Sequence, residues 1–133
     1  MIRIPLLLLS LALSCAAWAG HCADAQSTAP PAATAAEPYR LEAVLDRRDG
    51  LYTVAARTNL ALSIAHYGGA HVPGEGHVHL YVNGRLIGPI TSDQPLYLPP
   101  LVKGDNLVRL VLASNDHVES IYGVAAEAHV TPD

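Results

Sequence analysis

From Tyr39 onward the sequence predicts an all-β domain, an antiparallel sandwich of seven or eight short strands. Three observations predict it. Apolar and polar residues alternate with a period of two in one run after another; turn signals recur about every eight to twelve residues; and beyond the N-terminal segment no window of helical length carries an apolar period of 3.6.

The first run, Tyr39 to Leu45, places Tyr39, Leu41, Ala43 and Leu45 against Arg40, Glu42 and Asp46, with Val44 out of step. Arg47-Arg48-Asp49-Gly50 supplies a polar turn, and Leu51 to Arg57 resumes with Tyr52, Val54 and Ala56 on one side, which predicts a hairpin. Leu60, Leu62 and Ile64 alternate with small or polar neighbours and mark a third strand before the loop His66-Tyr67-Gly68-Gly69-Ala70. His77 to Val82 is the next strand, with Val78, Leu80 and Val82 on a core-facing side and His77, His79 and Tyr81 on an outward, solvent-accessible one. Asn83-Gly84 then demands a type I′ turn, whose two central residues both need positive φ, so Arg85 to Ile90 returns as its partner. Pro95 to Leu101 contains Pro99-Pro100 and belongs at a sheet edge, because proline has no N–H for a ladder. Leu107 to Ala113 turns Val108, Leu110 and Leu112 inward, while Leu107 and Val111 imply cover on the second face. After the polar corner Ser114-Asn115-Asp116-His117, Val118 to Val130 gives one or two closing strands around Gly123. The pattern fits an immunoglobulin-like or a cupredoxin-like sandwich, with alanine in several strands implying a thin core.

The N-terminal segment has a different character. A basic start, Met1-Ile2-Arg3, precedes an apolar run from Ile4 to Leu13 and a small-residue stretch, the layout of a secretory signal peptide over 1–25. The run holds roughly ten residues where a membrane-spanning helix needs about 20. Cleavage after Ala19 or after Ala25 satisfies the small-residue rule, and the later site removes both Cys15 and Cys22; acylation of Cys15 is the alternative processing. Residues 26–38, rich in Ala, Pro and Thr, read as a flexible leader, leaving 39–133 as the folded domain. The expected location is therefore periplasmic or secreted, without a transmembrane segment once the signal is removed. A net charge of −4, with Lys103 the only lysine, offers no basic stripe for nucleic acid.

The chemistry concentrates in histidine. Six of the seven histidines follow Ala25: His66, His71, His77, His79, His117 and His129. In a strand, positions i and i+2 project from one face about 6.5 to 7 Å apart, so His77 and His79 can turn two imidazoles onto one metal ion. His66 and His71 in the Gly-rich loop, and His117 at the later corner, are the candidates to complete the site. Imidazole suits Cu(II) and Zn(II), and the absence of Met and Cys beyond Cys22 argues against a Cu(I) thioether or copper–thiolate centre. Asn115-Asp116-His117 also offers a carboxylate to orient an imidazole, or simply a capped turn. Glu75 reads as a solvated loop-tip charge or an oxygen ligand, and His129 as a surface residue. No nucleophile elbow, phosphate loop, dinucleotide fingerprint or H-E-x-x-H helix occurs, so the expectation is a protein that is not an enzyme.

Gly74-Glu75-Gly76-His77-Val78-His79-Leu80-Tyr81-Val82-Asn83-Gly84, followed by Leu96-Tyr97-Leu98-Pro99 and Asn115-Asp116-His117, resembles a family of small exported bacterial β-sandwich proteins. Their pattern is a G-H-x-H-L-Y-V-[ND]-G strand and turn with a later N-D-H corner. The resemblance spans roughly Asn59 to Val130 and, because the family has no characterised function, implies fold and export. A more distant likeness to periplasmic cupredoxin-like copper-handling proteins is one of fold, which does not by itself imply function. Family members often carry a histidine in the Pro-rich segment, where Tyr97 stands here. The functional expectation is a periplasmic histidine-based metal-binding protein for Cu(II) or Zn(II) storage, delivery or tolerance. The alternative is a non-catalytic envelope module presenting a His/Tyr sheet face to a protein partner.

Overall fold

The computed structural model describes residues 38–133; the expected signal peptide, both cysteines and the expected leader up to residue 37 lie outside the described residues. Eight strands make two sheets. The smaller contains β1 (Leu41–Arg48), β2 (Leu51–Thr58) and β6 (Leu96–Tyr97), in the order β1-β2-β6. The larger contains β3 (Ala61–Leu62), β4 (Glu75–Val82), β5 (Arg85–Ile90), β7 (Asn106–Ser114) and β8 (Ala125–Val130). There β4 pairs with β7, and β7 with β8, while β3 and β5 pair with β4. Every pairing is antiparallel except that of β3 with β4, which is parallel and two residues long. A 3-10 turn, Glu119–Ile121, lies between β7 and β8, so that of the one or two closing strands expected over Val118 to Val130 one forms. Among the described residues no helix is long and apolar enough to cross a membrane.

Both two-residue hairpins form as their sequences require. Asp49-Gly50 joins β1 to β2 with φ of 52° and 79°, and Asn83-Gly84 joins β4 to β5 with φ of 50° and 79°. These are the left-handed conformations that a type I′ turn imposes and that Asn, Asp and Gly tolerate. The Asn83 turn is also tied to β7: its side-chain oxygen accepts from Leu107 N–H at 2.9 Å, and its Nδ2 donates to Oδ1 of Asn106 at 2.9 Å. Asn106 is wholly buried, and its Nδ2 donates to the carbonyls of Val102, Gly104 and Val130. It thereby closes the Lys103–Asp105 turn and anchors the end of β8, a role its sequence context did not reveal.

The core lies between the sheets. Val78, Leu80 and Val82 of β4 meet Val108, Leu110 and Leu112 of β7, Ile90 of β5 and Val130 of β8, with Val54 and Ala56 of β2 across from them. Full burial of a Val or Leu side chain contributes about 1.5–3 kcal/mol before entropy is subtracted, so this alternating set is what holds the sheets together. The expected edge position of the Pro95–Leu101 segment is met, β6 being the outer strand of the small sheet. The second face of β7 is covered as Val111 implied: Val111 and Ala113 are buried although they point away from the core, with the 3-10 turn against β7.

The start of β4 is pressed onto β7. A Cβ at Gly76 would stand 2.2 Å from the Ala113 carbonyl oxygen and 3.3 Å from Leu60 Cδ2. A Gly76→Ala variant should therefore force β4 away from β7 and lose about 1–3 kcal/mol, the usual range for overpacking, read as a lower urea midpoint. Gly88, where an added Cβ meets nothing within 4 Å, is the control: Gly88→Ala should stay within about 0.5 kcal/mol of the parent.

Candidate metal centre

β4 alternates across the sheet, so when Val78, Leu80 and Val82 enter the core His77 and His79 must occupy the other face. That face is not open. His77 is 0 % exposed and His79 8 %, which corrects the expectation of a solvent-accessible pair. Their cover comes from two connections. From the loop between β3 and β4, the Tyr67 ring packs edge-on against His77 at 4.8 Å between centroids and against His117 at 4.7 Å. From the β7–β8 connection come His117 and the 3-10 turn. Period-two alternation assigns a residue to a face but does not say what lies above that face.

The imidazoles of His77, His79 and His117 converge. Nε2 of His77 lies 3.0 Å from Nε2 of His79, which lies 3.4 Å from Nδ1 of His117. One ligand nitrogen from each falls within 4.8 Å of the other two. A tetrahedral ion with bonds of 2.0–2.1 Å needs its donors about 3.3 Å apart, so only small side-chain adjustments separate this arrangement from a coordination sphere. His117 reaches its place because its backbone adopts φ of 67°, unusual for a residue with a side chain. The corner is held by His117 N–H donating to the Ser114 carbonyl at 2.9 Å, and by the Ser114 hydroxyl, which accepts from Val118 N–H.

His79 is oriented from behind. Its Nδ1 lies 2.7 Å from Oε1 of Glu119, which also accepts from the Tyr81 hydroxyl at 2.7 Å. Burial works to raise the Glu119 pKa, but the hydrogen bonds from His79 and Tyr81 outweigh it and the net shift is downward. The ionised carboxylate accepts only, so it fixes the proton of His79 on Nδ1 and leaves Nε2 with a free lone pair toward the cluster. A carboxylate holding the far nitrogen of a ligating histidine is a common support of metal sites. The sequence pointed to Asp116 for this part, but Asp116 instead accepts from the Ser114 hydroxyl at 2.5 Å, and Glu119 was missed. Its only signal was a carboxylate two residues beyond a candidate ligand.

His77 completes the electrostatic picture. Burial first, then the neighbouring His79 and His117, lower its pKa to about 4, so it is neutral at pH 7. With Nε2 directed at the lone pair of His79, its Nδ1 is buried without a hydrogen-bond partner. Buried polar atoms are nearly always paired, and this exception lies within the histidine cluster.

The other candidates stand elsewhere. His66 Nδ1 contacts Glu75 Oε1 at 2.5 Å, and the same oxygen accepts from Asn115 Nδ2 at 3.2 Å. Asn115 in turn accepts from Val72 N–H through its side chain and from Gly68 N–H through its carbonyl. His66 and Glu75 therefore fasten the loop that carries Tyr67, and Glu75 is not a solvated tip. His71 lies beside Tyr122, 6.0 Å between ring centroids, outside the three-histidine group. His129 is exposed and contacts Asp105 at 2.7 Å, as a surface residue would. Tyr97 belongs to β6, in the sheet that does not carry the histidines.

Fold and site together define a small all-β sandwich with a three-histidine group at metal-binding distance on the outer face of its larger sheet. Comparison with family models, curated proteins and solved structures finds no match to the chain.

The lowered His77 pKa sets a pH window. An unfolded histidine titrates near 6.5 and folded His77 near 4, so between these values the unfolded chain binds more protons and stability rises with pH. The metal-free protein should hold this contribution above pH 6.5 and lose roughly 3 kcal/mol as pH falls to 4. Urea denaturation in the presence of chelator at stepped pH measures it. A His77→Gln variant should show a shallower slope over the same window, and an unchanged slope would exclude His77 as its source.

Proposed function

We propose that this protein binds a divalent transition metal, Cu(II) or Zn(II), through His77, His79 and His117, and acts in storage, delivery or tolerance of that metal in the periplasm or outside the cell. The observation that carries the proposal is the convergence of three imidazole nitrogens, one of them aimed by Glu119. Supporting it, His77 is neutral at physiological pH, so the metal does not compete with a proton there. The donor set is wholly nitrogen, which suits Cu(II) and Zn(II) and disfavours the softer Cu(I). Export is read from the N-terminal sequence alone, and the binding role, rather than catalysis, from the absence of any hydrolase or nucleotide motif in the sequence. The alternative of an exposed His/Tyr face for a protein partner has less support, since His77 and His79 are buried.

Calorimetry on the exported protein tests the proposal. Cu(II) or Zn(II) should bind at a 1:1 ratio with Kd tighter than about 10 µM, a free energy beyond roughly 7 kcal/mol. The His77→Ala/His79→Ala variant should lose that binding while His66→Ala and His129→Ala keep it. Retention of full affinity in the double variant would refute the assignment. Because a ligand held only by the folded state stabilises it, saturating metal should raise Tm and chelator should reverse the shift.

The supporting carboxylate gives a graded test. Glu119→Gln should weaken affinity about 10- to 100-fold, as loss of such a partner does in other metal sites, with little change in the far-ultraviolet spectrum. For export, fractionation of expressing cells followed by intact-mass measurement should recover a chain beginning at Gly20 or Gln26. Recovery of the unprocessed chain from the cytoplasm would refute the location.

A further inference from the structure

We infer that a metal held by His77, His79 and His117 keeps one coordination position for a small monodentate donor from outside the chain, an anion or a neutral nitrogen base, entering past His117. This rests on the metal-binding reading above and adds to it what the bound ion can exchange.

Four observations carry the inference. First, the three histidines are the full donor group among the described residues, one fewer than a tetrahedral ion takes. Second, the nearby carboxylates are committed elsewhere. Glu119 Oε1 sits on the Nδ1 edge of His79, across the ring from Nε2, and also holds Tyr81; Glu75 Oε1 is engaged by His66 and Asn115; Asp116 Oδ1 is engaged by Ser114. Third, burial falls in one direction, from His77 at 0 % and His79 at 8 % exposed to His117 at the surface, so the sheet closes the site from beneath and access lies outward. Tyr67 walls one side by touching both His77 and His117. Fourth, three neutral imidazoles leave a divalent ion with its charge, which favours an anion in the remaining position.

Azide is the probe. Titrated into the Cu(II)-loaded exported protein, it should bind at a 1:1 ratio with a new azide-to-copper charge-transfer absorption and an altered electron paramagnetic resonance spectrum, while copper stays bound. If copper is held by the three histidines but neither spectrum responds to a large molar excess of azide, the sphere is closed and this inference falls while the proposed function stands. If copper does not bind at all, both fall.

A second measurement locates the opening. Glycine suits the positive φ at residue 117, so His117→Gly should keep the fold, lose Cu(II) affinity, and regain at least about tenfold of it when free imidazole is supplied. His77→Gly, with its imidazole fully buried, should show no such rescue. Rescue of His77→Gly but not of His117→Gly would place the opening on the wrong side and overturn the inference.

Discussion

The register between β4 and β7 is the constraint from which the rest follows. Val78 stands opposite Leu112, Leu80 opposite Leu110 and Val82 opposite Val108, and the intervening positions set His77 against Ala113 and His79 against Val111. Because side chains alternate with a period of two, a slip of one residue would push both imidazoles into the apolar core and expose the valines and leucine. The hydrophobic effect therefore fixes where the histidines go, without any contribution from the histidines themselves. The residue before them also matters: the bare Gly76, opposite Ser114, lets the two strands close.

Once both imidazoles are committed to the outer face, the connections decide their environment. Two segments distant in sequence are laced together over that face. Asn115 at the end of β7 receives the backbone of the β3–β4 loop at Val72 and Gly68, and holds Glu75 with His66. The Tyr122 hydroxyl donates to the Glu75 carbonyl at 2.6 Å. This lacing brings Tyr67 over His77 and sets His117 and Glu119 beside His79. The chemistry thus depends on a polar network that supplies no ligand, only position, which is the usual demand of a site whose geometry must be held to a fraction of an ångström.

Much of the fold was legible in the sequence because it is written in local terms. Asn83-Gly84 and Asp49-Gly50 name their turns, proline in the 95–101 segment names an edge, and alternation names the two faces of β4 and β7. The site was legible in part: the spacing of His77 and His79 paired them, and the corner at His117 was the remote candidate that joins them. The sequence reading failed where the answer depended on contacts between loops. His66 and His71 are as close in sequence to the pair as any ligand could be, yet one is engaged by Glu75 and the other packs by Tyr122, because loop residues go where the backbone anchors of Asn115 send them. Burial of His77 and the service of Glu119 to His79 have the same origin. Both require knowing that the 3-10 turn folds back over β7, and Val118 to Ile121 carries no periodicity that announces it.

The span between His79 and His117 has a mechanical consequence. These residues bracket β5, β6 and β7, nearly forty residues of chain, and their imidazole nitrogens approach to 3.4 Å. The chain has no cysteine beyond Cys22, so no disulfide can fasten the sandwich from 38 to 133. An ion shared by these two imidazoles would close the same loop a disulfide would, removing chain entropy from the unfolded ensemble, but as a cross-link that chelator or a competing donor can open without a reductant. Resistance to proteolysis would then follow the supply of metal rather than the redox state of the surroundings.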